Sequence, residues 1–128
     1  MWPFRRSAAS RAERGKRAEA LARQYLVAHG YVIEQANVRF PVGEIDLIAK
    51  DGATLCFVEV RSASSETWGG ALGSITDRKR QRLIRAAQRF LQHRPHSGEI
   101  RFDVVAIQWQ PAGPPTIQLL KAAFDTSR

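Results

Sequence analysis

From about Arg11 to His29, apolar residues recur at Ala18, Leu21, Ala22, Tyr25 and Leu26, the i, i+3, i+4, i+7, i+8 spacing of a helix that buries one stripe. Gly30 closes that helix in the C′ position, and Gly15, a weak interior residue, offers a later start. Beyond Gly30 come the β-leaning pieces YVIEQ and NVRF, then GEIDLIA and TLCFVEVRS. The Asp51-Gly52 turn signal between the last two makes a hairpin the strongest local prediction. Residues 62–75, rich in Ser and Gly, read as a loop that includes Trp68. A second helix is predicted from Thr76 or Asp77 to about Gln92. Its apolar side is Leu83, Ile84, Ala87, Phe90 and Leu91, which leaves Arg78, Lys79, Arg82, Arg85 and Arg89 on or near the other faces. RFDVVAIQW and TIQLL, joined by a loop containing PAGPP, read as two neighbouring strands. The order α-β-β-β-α-β-β predicts an α/β fold with a mixed central sheet flanked by helices.

The 128 residues, 44% of them hydrophobic, suffice for one core and not for two. Residues 1–10 carry no period and are expected to form a disordered basic arm, leaving 11–125 as a single domain. No run approaches the roughly 18 apolar residues of a membrane span, and Arg5 and Arg6 are followed by no apolar signal region, so the expected location is cytoplasmic or nucleoid-associated. The lone Cys56 lies in an apolar run, where an inert buried thiol is expected. His29, His93 and His96 lack zinc-ligand spacing.

Charge adds a direction. The net charge is +8, distributed as +5 over residues 1–23, −4 over 24–77 and +7 over 78–101. An acidic middle between two basic helices points to a polyanionic partner, bound through phosphates without reading sequence.

The acidic middle also holds the candidate chemistry. Strict strand alternation puts Glu44, Asp46 and Ile48 on one face, and Ile45, Leu47 and Ala49 on the other. On the partner strand Leu55, Phe57, Glu59 and Arg61 share a face. Carboxylates embedded in apolar strands are costly unless paired, hydrogen-bonded or bound to a cation. Asp46 and Glu59 on adjacent strands suit a divalent ion such as Mg²⁺ or Mn²⁺, with a backbone carbonyl such as that of Val60 as a further ligand. The competing reading is an exposed hairpin face on which Glu59 pairs with Arg61 and Asp46 with a nearby Arg.

The string GEIDLI followed by FVEVR resembles the D…(D/E)xK signature of the restriction-endonuclease-like nuclease superfamily, here Asp46 with Glu59-Val60-Arg61. Gly15, Glu19, Asn37, Arg39, Gly43 to Ile48, Phe57 to Val60, Lys79 and Arg101 to Val105 together look like the YraN-like family of small bacterial proteins, over about residues 15–108. The resemblance implies a restriction-endonuclease-like core similar to Holliday junction resolvases, with Glu19 joining Asp46 and Glu59 around the metal. Glu19 could instead pair locally with Arg23 at i+4. Where the motif has Lys, this chain has Arg61, which can stabilise charge on a phosphate but stays protonated and is bulkier.

The resulting expectation is a Mg²⁺- or Mn²⁺-dependent nuclease acting on DNA, branched or damaged, by structure rather than sequence. Glu19, Asp46, Glu59 and Arg61 are its catalytic candidates, and Asp46, Glu59 and Val60 its metal ligands. Arg39, Arg78, Lys79, Arg82, Arg85 and Arg89 are candidate phosphate contacts. A homodimer would suit the two-fold symmetry of a junction. Trp68 is either a base-stacking platform or folded back on the core. Two other classes stay open: a non-catalytic nucleic-acid-binding protein on a nuclease scaffold, favoured by Arg61, and a basic ribonucleoprotein assembly factor that prefers RNA and ignores added metal.

Overall fold

A computed structural model describes residues 7–64 and 69–124. Eight elements follow in order: α1 (Ser7–Ala28), β1 (Val32–Phe40), β2 (Gly43–Asp51), β3 (Thr54–Ala63), α2 (Gly70–Gly73), α3 (Asp77–His93), β4 (Ile100–Gln108) and β5 (Thr116–Leu120). The strands form one mixed sheet in the order β1-β2-β3-β4-β5. Only β3 and β4 run parallel, and α3 lies in the crossover between them that a parallel pair requires. The α/β order read from the sequence is the order observed.

Two apolar layers sandwich the sheet between helices. On one face Ala18, Ala22 and Leu26 of α1 pack on Leu47, Ala49, Cys56, Val58, Val105 and Ile107. On the other, Leu83, Ile84, Ala87 and Phe90 of α3 pack on Ile45, Ile48, Leu55, Phe57 and Phe102. Each fully buried Leu, Ile or Phe contributes about 1.5–3 kcal/mol. Helix α3 starts where expected because the Thr76 hydroxyl accepts from the Lys79 N–H, an N-cap. Among the described residues no helix is long and apolar enough to cross a membrane.

A buried ionic knot ties one end of the sheet. Asp103 is wholly buried on β4, and its carboxylate accepts from Arg101 Nε at 2.8 Å, Tyr31 OH at 2.7 Å and the Ala122 N–H at 2.9 Å. Arg101 Nη2 reaches on to Asp51 at 2.8 Å. Despite its burial, Asp103 is held below the usual carboxylate range by these donors, foremost the Arg101 guanidinium. Cys56, beside this knot, is fully buried and its thiol is pushed up to about 12, which leaves it protonated and inert.

Four local expectations need correction. Helix α1 begins at Ser7 rather than at Arg11 or Gly15, since Ala8, Ala9 and Ala12 are strong helix formers; residues 7–10 therefore belong to the helix, while 1–6 lie outside the described residues. YVIEQ and NVRF fuse into one strand, with a register shift at Glu34 where β1 carries one residue more than β2. The loop predicted for 62–75 is shortened at its start by β3, and Gly70–Gly73 forms a single helical turn.

The fourth correction bears on the site. Ile45 packs with Ile48 on the α3 side rather than with Leu47 and Ala49 on the α1 side, so strict alternation fails at Asp46. The same switch occurs opposite, where Ala36 faces the α1 layer and Val38 the α3 layer. Asn37 between them has φ 55°, and the register Ala36↔Leu47, Val38↔Ile45 sets it against Asp46. Both strands roll over at this rung because Asn, which tolerates the left-handed region, turns the backbone there.

Candidate functional site

Strand β2 pairs with β3 only from Leu47↔Val58 to Asp51↔Thr54. Before Leu47 it follows β1 instead, while the far half of β3 pairs with β4, so the sheet forks. Asp46 and Glu59 occupy the first rung past the last β2–β3 pair. There Asp46 Oδ2 accepts from the Val60 N–H at 2.8 Å, taking up a donor that the departing strand leaves free.

The two carboxyls lie close enough inside the fork to shift each other's proton affinity. Burial raises the Asp46 pKa, and the nearby Glu44 charge adds to it against the opposing Val60 N–H. Burial, and then the charge of Asp46, push Glu59 up to about 7. The pair thus holds a proton more tightly than free carboxylates do, as two neighbouring half-buried acids must. Arg61 Nη1 lies 3.5 Å from Glu59 Oε2, and Arg61 Nε donates to the Ser74 hydroxyl at 2.9 Å.

Two openings flank the fork. The one on the α1 side, about 570 Å³, is bounded by Gly15, Lys16, Glu19, Asn37, Arg39 and Asp46, with Val60 and Arg61 at its far wall. The one on the α3 side, about 150 Å³, is lined by Glu44, Glu59, Arg61, Lys79, Arg82 and Leu83. Glu44 and Arg61 border both.

The structure therefore brings Asp46, Glu59 and Arg61 to the fork, and sets Glu19 with Asp46 and Arg61 on the larger opening but not with Glu59. Glu19 meets Asn37 rather than Arg23: the Asn37 amide donates to both of its oxygens, at 3.1 and 3.2 Å. Val60 touches Asp46 through its N–H and not through its carbonyl. Arg39, largely exposed, pairs with Glu44 at 3.2 Å on the rim. Lys79 and Arg82 line the smaller opening, whereas Arg78, Arg85 and Arg89 extend along α3 away from it, Arg78 and Arg85 exposed and Arg89 half-buried. Trp68 lies outside the described residues. Among the described residues no three or more His, Cys, Asp or Glu side chains group closely enough to hold a metal ion by themselves.

Sequence reasoning passed over three residues here. Ser74 sat in a segment without period, and Glu44 was read only as a face neighbour of Asp46. Asn37 carried a usable signal, since an Asn inside a β-leaning run is a candidate for the left-handed region.

The comparisons with known proteins agree with this architecture's extent. Residues 18–107 match the model of "Uncharacterised protein family UPF0102". A UPF0102 protein of Pseudomonas syringae pv. syringae (strain B728a) is 40% identical over 119 residues, 91% of this chain and 97% of the relative. That of Pseudomonas fluorescens is 46% identical over 114 residues, covering 88% of this chain and 93% of the relative. That of Methylobacillus flagellatus is 49% identical over 98 residues, 77% and 86% respectively. The family model spans the fork and both helices that bound it, and the chain belongs to the UPF0102 family, the YraN-like group of bacterial proteins.

Proposed function

We propose that the chain is a divalent-metal-dependent phosphodiesterase of the restriction-endonuclease-like type, acting on DNA by structure rather than by sequence. The observation that carries this reading is the convergence of Asp46 and Glu59 in the fork, both with raised proton affinity, beside Arg61 and under two cation-lined openings. Two half-buried carboxyls with raised proton affinity are a donor set that a hard divalent cation suits, because the ion replaces the proton and relieves the repulsion. Asp46 and Glu59 would hold it, with water and the Val60 carbonyl completing the oxygen set, Glu19 and Asp46 lining the larger opening and Glu59 the smaller. Such an ion supplies an activated water and neutralises charge developing on a phosphate. The chain's own residues do the rest. Val60 orients Asp46, Asn37 holds Glu19, and Arg61 offers a fixed positive charge to a phosphate oxygen.

A second reading, a non-catalytic nucleic-acid-binding protein on the same scaffold, is favoured by one contact: the Arg61 guanidinium, in the place of the motif Lys, reaches back to Glu59. The test is cleavage of flap, junction, single-stranded and duplex DNA with Mg²⁺ or Mn²⁺. Wild type is expected to cleave, and Asp46→Ala and Glu59→Ala to lose about 10²-fold or more. Activity that survives both alanine changes rejects the assigned site. Silence in wild type with gain of cleavage in Arg61→Lys selects the binding protein.

A further inference from the structure

Ser74 stands between two cations of the smaller opening. Its hydroxyl accepts from Arg61 Nε at 2.9 Å and donates to the Ala71 carbonyl at 2.6 Å, so its lone pair is committed to Arg61. Its own carbonyl accepts from Lys79 Nζ at 3.3 Å. One residue, in the turn that links α2 to α3, thereby holds two long side chains that would otherwise sample many rotamers.

The third cation, Arg82, has its main chain held in place. Gly43, at the start of β2, lies so close to the Arg82 carbonyl that an added Cβ would run into it. Helix α3 is therefore seated directly on the β1–β2 turn, with Arg82 and Lys79 bordering the fork. Among the described residues neither Lys79 nor Arg82 forms an ion pair, unlike Arg39 and Arg61. The opening, about 150 Å³, is too small for a nucleoside; its three cations outnumber its two acids, Glu44 and Glu59, and the acids pair with Arg39 and Arg61, which leaves Lys79 and Arg82 to a compact anion.

We propose that this α3-side opening is a binding site for one phosphate group of a nucleic-acid strand, the phosphate next to the phosphodiester held at Asp46 and Glu59, with Ser74 as its positioning residue. The identification of the ligand rests on the reading above, whereas the anion site itself works without metal. Preorganised donors lose little entropy on binding, and charge-assisted bonds to phosphate are about twice as strong as neutral ones. A strand occupying both sites crosses the fork from the α1 side to the α3 side, over β3.

Anisotropy of a short fluorescein-labelled single-stranded oligonucleotide, measured on the full chain without divalent ions, tests the site, with inorganic phosphate as competitor. Lys79→Met should weaken binding about tenfold, and Ser74→Ala, which changes no charge, about fivefold. Ser74→Thr, which keeps the hydroxyl, should bind like wild type, and Arg85→Met, outside the opening, should lose less than Lys79→Met. Thermal melts check that each variant is folded. A folded Ser74→Ala that binds as tightly as wild type, or a Lys79→Met no weaker than Arg85→Met, overturns the subsite while leaving the nuclease reading intact. Wild type that binds no oligonucleotide at all contradicts that reading itself.

Discussion

Asp46 and Glu59 face each other one rung beyond Leu47↔Val58, the last pair that β2 and β3 share. Their meeting follows from topology. An antiparallel ladder that stops leaves the next two side chains opposed, and the fork that opens there puts Asp46 on the larger opening and Glu59 on the smaller.

The pair sets a pH dependence whose sign is opposite to that of most carboxylates. Glu59 has its pKa raised by burial and by Asp46, from 4.5 to about 7, so the folded state binds more protons than the unfolded chain between those values. Stability contributed by the protonated form is complete below about 4.5 and lost as the pH rises through 7. The metal-free protein is expected to lose several degrees of Tm between pH 5 and pH 8, and Glu59→Gln to flatten that slope. A wild-type Tm that rises over this range contradicts the shared-proton account. Asp51 and Asp103, whose pKa values are lowered, act only at more acidic pH, where protonation removes their contribution.

The Asp103 knot predicts a large stability loss. Asp103→Ala removes the acceptor of the Tyr31 hydroxyl, the Ala122 N–H and Arg101 Nε and leaves Arg101 with Asp51 alone as its carboxylate partner, at a cost of about 3–5 kcal/mol. Urea denaturation reads this directly as a lower midpoint. An unchanged midpoint would mean that the knot adds nothing to the fold.

Asn37 separates backbone from side chain. Asn37→Gly keeps the left-handed turn and should leave Tm within a few degrees of wild type, whereas Asn37→Val forces a β-branched residue to φ 55° and should cost about 1–3 kcal/mol. Both free Glu19 from its amide partner. Equal melting of the two variants would show that the backbone at position 37 is not constrained.

Gly43 is required by contact, not by conformation. Gly43→Ala drives a methyl into the Arg82 carbonyl, and relief means lifting α3 from the β1–β2 turn, at a cost of about 1–3 kcal/mol. The expected signature is a lower urea midpoint together with weakened oligonucleotide binding, since Lys79 and Arg82 move with the helix. Wild-type behaviour in both assays would show that the helix yields freely.

Much of this was legible in the chain because its elements follow their ideal periods. The α1 stripe from Ala18 to Leu26, the Asp51-Gly52 turn with the paired strands beside it and the amphipathic α3 each keep one period over that stretch, and all three stand where the pattern put them. Asp46 and Glu59 were legible as acids in apolar strands, yet the reason they meet was not. A uniform two-residue alternation has no term for a rollover, and the one at Asn37 and Asp46 moves Ile45 to the opposite layer. Glu19's partner was invisible because Asn37 comes from another element, 18 residues on. Ser74 was missed because its role comes wholly from contacts across a loop that has no period.

The most direct test of the central claim is calorimetric titration of Mn²⁺ into the wild-type chain and into Asp46→Ala at pH 7. Saturable binding with release of protons in wild type, lost in Asp46→Ala, is the predicted result, because the ion must displace the proton that the pair shares. Absence of binding in wild type, or equal binding in the two proteins, would contradict it.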